Sequence, residues 1–258
     1  QQHTMEEGHE PMDYALDQGV NFFDAAELYP IPPKAETQGK TEECIGSWFK
    51  KTGNREKVIL ATKVAGRSPM KWFRGEGTKL ERKNIEAAVD ASLERLQTEY
   101  IDLYQLHWPD RPMSMFGSGG IGYKHIESES ISINETLEVL SDLVANGKIR
   151  YVGLSNETPW GLSEFLKYSE MNNLPRVVSV QNAYNFLNRT YEQGMSEFCH
   201  RSQVGLLAYS PLAQGYLTGK YIDGARPEGS RTALFERGDR YEVPGANEAI
   251  KSYVAYAD

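Results

Sequence analysis

Two cysteines, Cys44 and Cys199, in 258 residues are too few for a disulfide framework, and a reduced, cytoplasmic setting is the default. No apolar run approaches the roughly 18 residues that a helix needs to cross a membrane. Nor is there a basic block. The 28 Lys and Arg against 36 Asp and Glu leave a net charge of −8, which argues against a nucleic-acid partner. The histidines lack the spacing of a metal site, and His3, His9, His125 and His200 read as surface residues. What remains is 40% hydrophobic and 25% charged, an ordinary globular composition with enough chain for one large core.

The chain is organised around Val20-Asn21-Phe22-Phe23-Asp24-Ala25-Ala26-Glu27-Leu28-Tyr29. Val20–Phe23 reads as a short buried strand, Asp24 stands at its end, and Tyr29 lies on the loop beyond. Residues 1–9 read as a polar loop and Glu10–Gln18 as a helix stopped by Gly19. After a Pro-rich loop, a helix is expected over Thr41–Lys51, capped by Thr41 and ended by Gly53. Lys57–Thr62 is the next strand, with Lys63 at its end. Glu81–Gln97 is the clearest helix, with Ile85, Val89, Leu93 and Leu96 at core spacing. Strand Tyr100–Leu106 ends at His107, and a long loop at about 108–131 follows. Then come helix Asn134–Ala145, strand Arg150–Leu154 ending in Ser155-Asn156, and helix Pro159–Ser169. Strand Val177–Val180 ends in Gln181, helix Glu192–Arg201 follows, and strand Gly205–Ala208 ends in Tyr209-Ser210. A loop-rich tail leads to a helix from Asn247.

Six strands alternating with helices imply a parallel sheet. Each strand delivers a polar or ionisable group at the same end. In a closed barrel such ends converge on one rim, whereas a doubly wound sheet concentrates its site at one switch point. The pattern favours the barrel. Gly117-Ser118-Gly119-Gly120-Ile121-Gly122 fits G-x-G-x-x-G but lies between no strand and helix, so it reads as loop rather than as a dinucleotide fingerprint.

Several segments in this order, Phe23-Asp24-Ala25-Ala26-Glu27-Leu28-Tyr29, Ala61-Thr62-Lys63, Asp102-Leu103-Tyr104-Gln105-Leu106-His107-Trp108, Gly153-Leu154-Ser155-Asn156, Val180-Gln181-Asn182 and Tyr209-Ser210-Pro211-Leu212, carry a resemblance. The sequence resembles the aldo-keto reductase superfamily, and within it the Tas-like bacterial branch related to the potassium-channel β subunits. The resemblance implies an α/β (β/α)8 TIM barrel and NADPH-dependent reduction of aldehydes or ketones. It also implies one domain over residues 1–258, lacking the barrel's first strand and its last helix–strand–helix in this chain.

Reduction of a carbonyl needs a proton donor at the developing alkoxide, and a free tyrosine, with a pKa of about 10, is a poor one at neutral pH. A nearby ammonium favours the phenolate. The resemblance implies Tyr29 as general acid, Lys63 as its ammonium, Asp24 as the partner of Lys63, and His107 as the group that orients the carbonyl oxygen. It implies that Ser155, Asn156 and Gln181 bind the nicotinamide carboxamide and that Tyr209 stacks on its ring. It further implies a pyrophosphate loop over Ser210, Pro211, Leu212, Ala213, Gln214 and Gly215, with Lys220 and Arg231 beside the phosphates. No metal is implied. The partner is a small carbonyl substrate, of identity open, and the oligomeric state is open too. The alternative is a nucleotide-binding regulatory protein on the same fold with little turnover.

Overall fold

The computed structural model describes residues 4–113, 125–235 and 239–257. The glycine pattern at 117–122 and the loop residues Met115, Phe116 and Tyr123 lie outside the described residues. The chain divides into two compact units, one of residues 4–113 and 125–180, the other of residues 181–235 and 239–257.

The first unit is a parallel α/β assembly. Its helices are α1 (Met5–Asp17), α2 (Lys40–Thr52), α3 (Arg82–Leu96), α4 (Ile133–Ala145) and α5 (Pro159–Asn172). Its strands are β1 (Phe22–Asp24), β2 (Ile59–Val64), β3 (Ile101–Leu106) and β4 (Ile149–Ser155), and β5 (Val177–Ala183) begins in it. The strand order follows the chain. The registers Asp24↔Ala61, Lys63↔Gln105 and Gln105↔Gly153 are all parallel. Strands covered on both faces read as continuous buried runs, and every residue of β3 is buried.

Buried strands with polar residues must pair them. The Asp102 carboxylate accepts the Leu60 amide at 3.0 Å and guanidinium N–H groups of Arg55 at 2.9 Å and Arg150 at 2.8 Å. Those two arginines lie over the Tyr100 ring at 4.0 and 3.8 Å, which closes the amino-terminal end of the sheet. Glu42 of α2 is fully buried. It accepts the Thr62 hydroxyl at 2.6 Å and Arg95 Nε at 2.7 Å, tying α2, β2 and α3 together.

The helices carry local signals for their ends. Thr4 caps α1 in a capping box with Glu7, so α1 starts at Met5 and residues 5–9 are helical, not loop. A Thr-x-x-Glu pair ahead of a weakly apolar run is easily passed over. Gly39, in the left-handed region, precedes α2, so Thr41 lies inside that helix and is not its cap. Ser132 and Thr158 accept the amides of Glu135 and Gly161 at the starts of α4 and α5. Lys63 and Gln181 fall within their strands, since β2 runs to Val64 and β5 to Ala183. His9 is buried and shares a 2.8 Å hydrogen bond with Ser47 Oγ. Its placement on a surface is thereby corrected, because α1 packs this face against α2.

The second unit holds the end of β5, β6 (Gly205–Tyr209) beside it, and helices α6 (Met195–Arg201), α7 (Arg231–Phe235) and α8 (Ala246–Ala257). The tail after β6 also contains short 3-10 turns, among them Ala213–Thr218. Its apolar centre is Ala213, Tyr216, Tyr221, Tyr241 and Ile250.

Gly46 tests the packing of α2 on α3. A Cβ there would meet the Arg95 carbonyl oxygen at 2.2 Å and Leu96 backbone atoms at 2.7 and 2.9 Å. Gly46→Ala gains helix propensity but forces two backbones apart. A net loss of about 1–3 kcal/mol is expected, read as a lower urea midpoint at unchanged slope.

Candidate active site

The carboxyl ends of β1, β2 and β3 bring Asp24, Lys63 and His107 together, with Tyr29 on the loop between β1 and α2. Lys63 has no solvent exposure, and its ammonium is held by Asp24 Oδ2 at 2.6 Å and the Ala25 carbonyl at 2.6 Å. The same ammonium lies 4.9 Å from the centroid of the Tyr29 ring. The His107 ring meets Tyr29 edge to face, at 5.6 Å between centroids and 82° between planes. Two rings and a cation therefore share one small volume.

The backbone around this group is fixed from several sides. The amides of Ala25 and Glu27 donate to the Ala61 and Lys63 carbonyls, and the His107 amide donates to that of Val64. Glu27, buried within the Asp24–Tyr29 segment, accepts the Ala65 amide at 2.8 Å and is paired with Arg74 at 2.7 Å. Arg74 Nε in turn donates to Asn84 Oδ1 at 2.9 Å. Gly66 has no room for a side chain, because its Cβ would meet the Trp108 carbonyl oxygen at 2.1 Å. Glu27, Arg74 and Gly66 were not singled out from sequence. A carboxylate inside a loop motif looks solvated until the strand that buries it is known.

His107 is deeply buried, and burial, helped by the nearby Lys63 charge, holds its imidazole well below the usual histidine pKa. Its Nδ1 has no hydrogen-bond partner among the described residues. The ring is therefore neutral at neutral pH and so has one N–H donor and one acceptor.

Ser155 and Asn156 follow the same pattern at the end of β4. Asn156 adopts φ 54°, and its Nδ2 donates to the His107 carbonyl at 2.9 Å and to Ser155 Oγ at 3.1 Å. Ser155 and Asn156 thus adjoin the His107 backbone.

The other expected cofactor residues belong to the second unit. Gln181 is buried in β5 and Tyr209 ends β6. Ser210, Ala213, Gln214 and Gly215 all take positive φ, at 55°, 48°, 58° and 100°. Pro211 and Leu212 are exposed and Ala213 is fully buried among the tyrosines. The amides of Ala213 and Gly215 donate to Ser210 and Leu212 carbonyls, so the turn uses part of its own donor set. Lys220 folds back over it, and a Cβ on Gly215 would meet Lys220 Cε at 3.0 Å and Nζ at 3.3 Å. A tight turn of successive positive-φ residues beside an ammonium fits a phosphate group. Arg231 opens α7. Asn185, unforeseen from sequence, braces the turn: its Nδ2 donates to the Ser210 carbonyl at 2.9 Å and to the Tyr241 hydroxyl at 3.0 Å.

Among the described residues no group of three or more His, Cys, Asp or Glu is placed to hold a metal ion, and no helix is long and apolar enough to cross a membrane.

A parallel α/β sheet with ionisable side chains gathered at its carboxyl strand ends is the arrangement in which α/β enzymes build their sites. Comparison with known proteins agrees. The Aldo/keto reductase family model matches residues 1–257, and the chain belongs to that family, which is one of oxidoreductases. It is 46% identical to Protein tas of Escherichia coli (strain K12) over 260 residues, covering 100% of this chain and 74% of that protein. It is 43% identical to an aldo-keto reductase of Babesia bovis, covering 76% of this chain and 73% of that one. Identity to the L-glyceraldehyde 3-phosphate reductase of Escherichia coli O157:H7 is 32%, over 84% of this chain and 56% of that protein.

The depressed pKa of His107 has a consequence for stability. The unfolded chain takes up a proton at this residue as pH falls through about 6.5 while the folded chain does not. Its contribution is therefore present above about pH 6.5 and is lost as pH falls toward the folded value. Denaturation at a series of pH values should show His107→Asn losing stability less steeply than the parent between pH 6.5 and 5, by up to about 1.4 kcal/mol per pH unit.

Proposed function

We propose that the protein reduces small aldehydes or ketones to alcohols with NADPH, with Tyr29 as general acid in that direction and general base in the reverse one. The observation that carries this reading is the Lys63 ammonium, shielded from solvent, held by Asp24 and lying 4.9 Å from the Tyr29 ring. An ammonium fixed beside a phenol stabilises the negative charge left when the proton departs. Asp24 keeps that ammonium from swinging away. His107, neutral because it is buried, can donate one N–H to the carbonyl oxygen and orient it.

NADPH, when bound, supplies the hydride. Ser155, Asn156 and Gln181 would hold its carboxamide and Tyr209 would stack on its ring. The Ser210, Pro211, Leu212, Ala213 and Gly215 turn, with Lys220 and Arg231, would face its phosphates. The left-handed turn and the overlying Lys220 support that assignment, and the preference for NADPH over NADH rests on family resemblance. We propose one barrel domain for the whole chain and, from two unpaired cysteines, a reduced cytoplasmic setting.

The test is NADPH oxidation at 340 nm with a panel of aldehydes and ketones, run beside Tyr29→Phe. The substitution should lower kcat by at least about 100-fold and leave NADPH binding, followed by fluorescence, unchanged. Turnover that survives Tyr29→Phe would overturn the assignment of the acid. Binding without turnover in either protein would support a regulatory nucleotide-binding role instead.

A further inference from the structure

The geometry points to Gln105 as a positioning residue for the reaction proposed above, setting the orientation of the Asp24 carboxylate that holds Lys63. The inference rests on that reading of the site. Gln105 lies on β3 in register with Lys63 of β2 and has no solvent exposure. Its Nε2 donates to Asp24 Oδ1 at 2.9 Å, while Asp24 Oδ2 receives the Lys63 ammonium at 2.6 Å. One carboxylate oxygen is thereby assigned to each donor. Loss of the amide removes the donor at Oδ1 and relaxes the direction in which Oδ2 pulls the ammonium. Small errors of placement matter, since about 1 Å can cost roughly 100-fold in rate.

The neighbouring strand is shaped for this side chain. Gly153 of β4 stands in register with Gln105. A Cβ on Gly153 would meet Gln105 Cγ at 3.0 Å, Leu103 Cδ1 at 3.2 Å and Ser179 Oγ at 2.8 Å. Gly153 has no left-handed backbone to demand glycine, so space is the constraint. The missing side chain leaves room for the stem of Gln105, whose amide reaches Asp24. The chemistry of residue 105 is equally constrained. An amide gives a donor without charge. A carboxylate in its place would face Asp24 as a second negative group, and it would become a donor only when protonated. An apolar residue of similar length fills the space and donates nothing.

Gln105→Met and Gln105→Glu separate these possibilities, with 4-nitrobenzaldehyde and NADPH as probes and Tyr29→Phe alongside. Gln105→Met is expected to lower kcat by about 10- to 100-fold, with KM and NADPH affinity within about two-fold of the parent and a constant deficit across pH. Gln105→Glu is expected to be impaired at high pH and to recover relative to the parent as pH falls, because its protonated carboxyl donates as the amide did. Gly153→Ala, which leaves Gln105 in place but crowds its Cγ, should also lower kcat with little change in KM. The 15Nζ resonance of Lys63, read in the free protein, should move in Gln105→Met. That readout needs no turnover, so it decides the inference even if the assigned acid is wrong or Gln105→Met is inactive through poor folding, in which case Gln105→Glu is used. A parental kcat and pH profile in both Gln105 variants, or an unmoved Lys63 resonance, would overturn the role of Gln105. Turnover retained in Tyr29→Phe would instead overturn the reading of the acid.

Discussion

A lysine with no access to water is the constraint from which the rest of the site follows. Taking an ammonium out of solvent costs several kcal/mol even after relaxation, and the chain offsets this with a carboxylate and a carbonyl at 2.6 Å each. Those two acceptors come from β1 and the residue after it, so the pairing of β1 with β2 and the pairing of Asp24 with Lys63 are one requirement. The register Asp24↔Ala61 places the acid two residues short of Lys63 along the neighbouring strand, where its side chain can lean across. A slip by one residue would turn Lys63 to the opposite face and leave a buried charge unpaired. The ion pair and the apolar residues thus favour the same register.

Around this pair the protein repeats one device: a buried acid that joins segments distant in sequence. Asp102 joins β2, β3, β4 and the turn holding Arg55; Glu42 joins α2, β2 and α3; Asp110 accepts the amides of Leu80 and Ile131 and pairs with Arg67. Each acid satisfies backbone or side-chain donors from two or more other segments. These polar contacts sit beside the buried apolar residues Leu60, Ile101, Leu103 and Val152 of the same strands.

Sequence patterns made the strand–helix alternation readable, because Phe23, Leu60 and Leu106 lie in short apolar runs and Ile85, Val89 and Leu96 keep helical spacing. The ends were less readable. Lys63 and Gln181 end their runs in hydropathy yet lie within their strands, since ladder hydrogen bonds continue past the last apolar residue. Asp24, Tyr29, Lys63 and His107 were legible as a set because they follow successive apolar runs in the order of the family's motifs, whereas singly each has an ordinary structural reading. Glu27, Glu42, Gln105 and Asn185 were not. Their side chains act on residues 20 to 81 positions away, and no local pattern announces a partner at that distance. His9 misled for a related reason: a histidine in a polar helix reads as exposed until a second helix is laid over it.

The Glu27–Arg74 pair bears on how this chain can vary. Both carboxylate oxygens are engaged, by the Ala65 amide and by the Arg74 guanidinium, and Arg74 is also tied to Asn84. Removing either charge alone leaves the other buried without its partner, a loss of about 3–5 kcal/mol in comparable cases. The loop over residues 67–78 is thereby free to drift in sequence at its exposed positions but not at Arg74. Change at Arg74 has to be accompanied by change at Glu27, inside the very segment that carries Tyr29. The loop and the segment that carries Tyr29 are in this sense coupled, and change in the one is limited by what the other can accept.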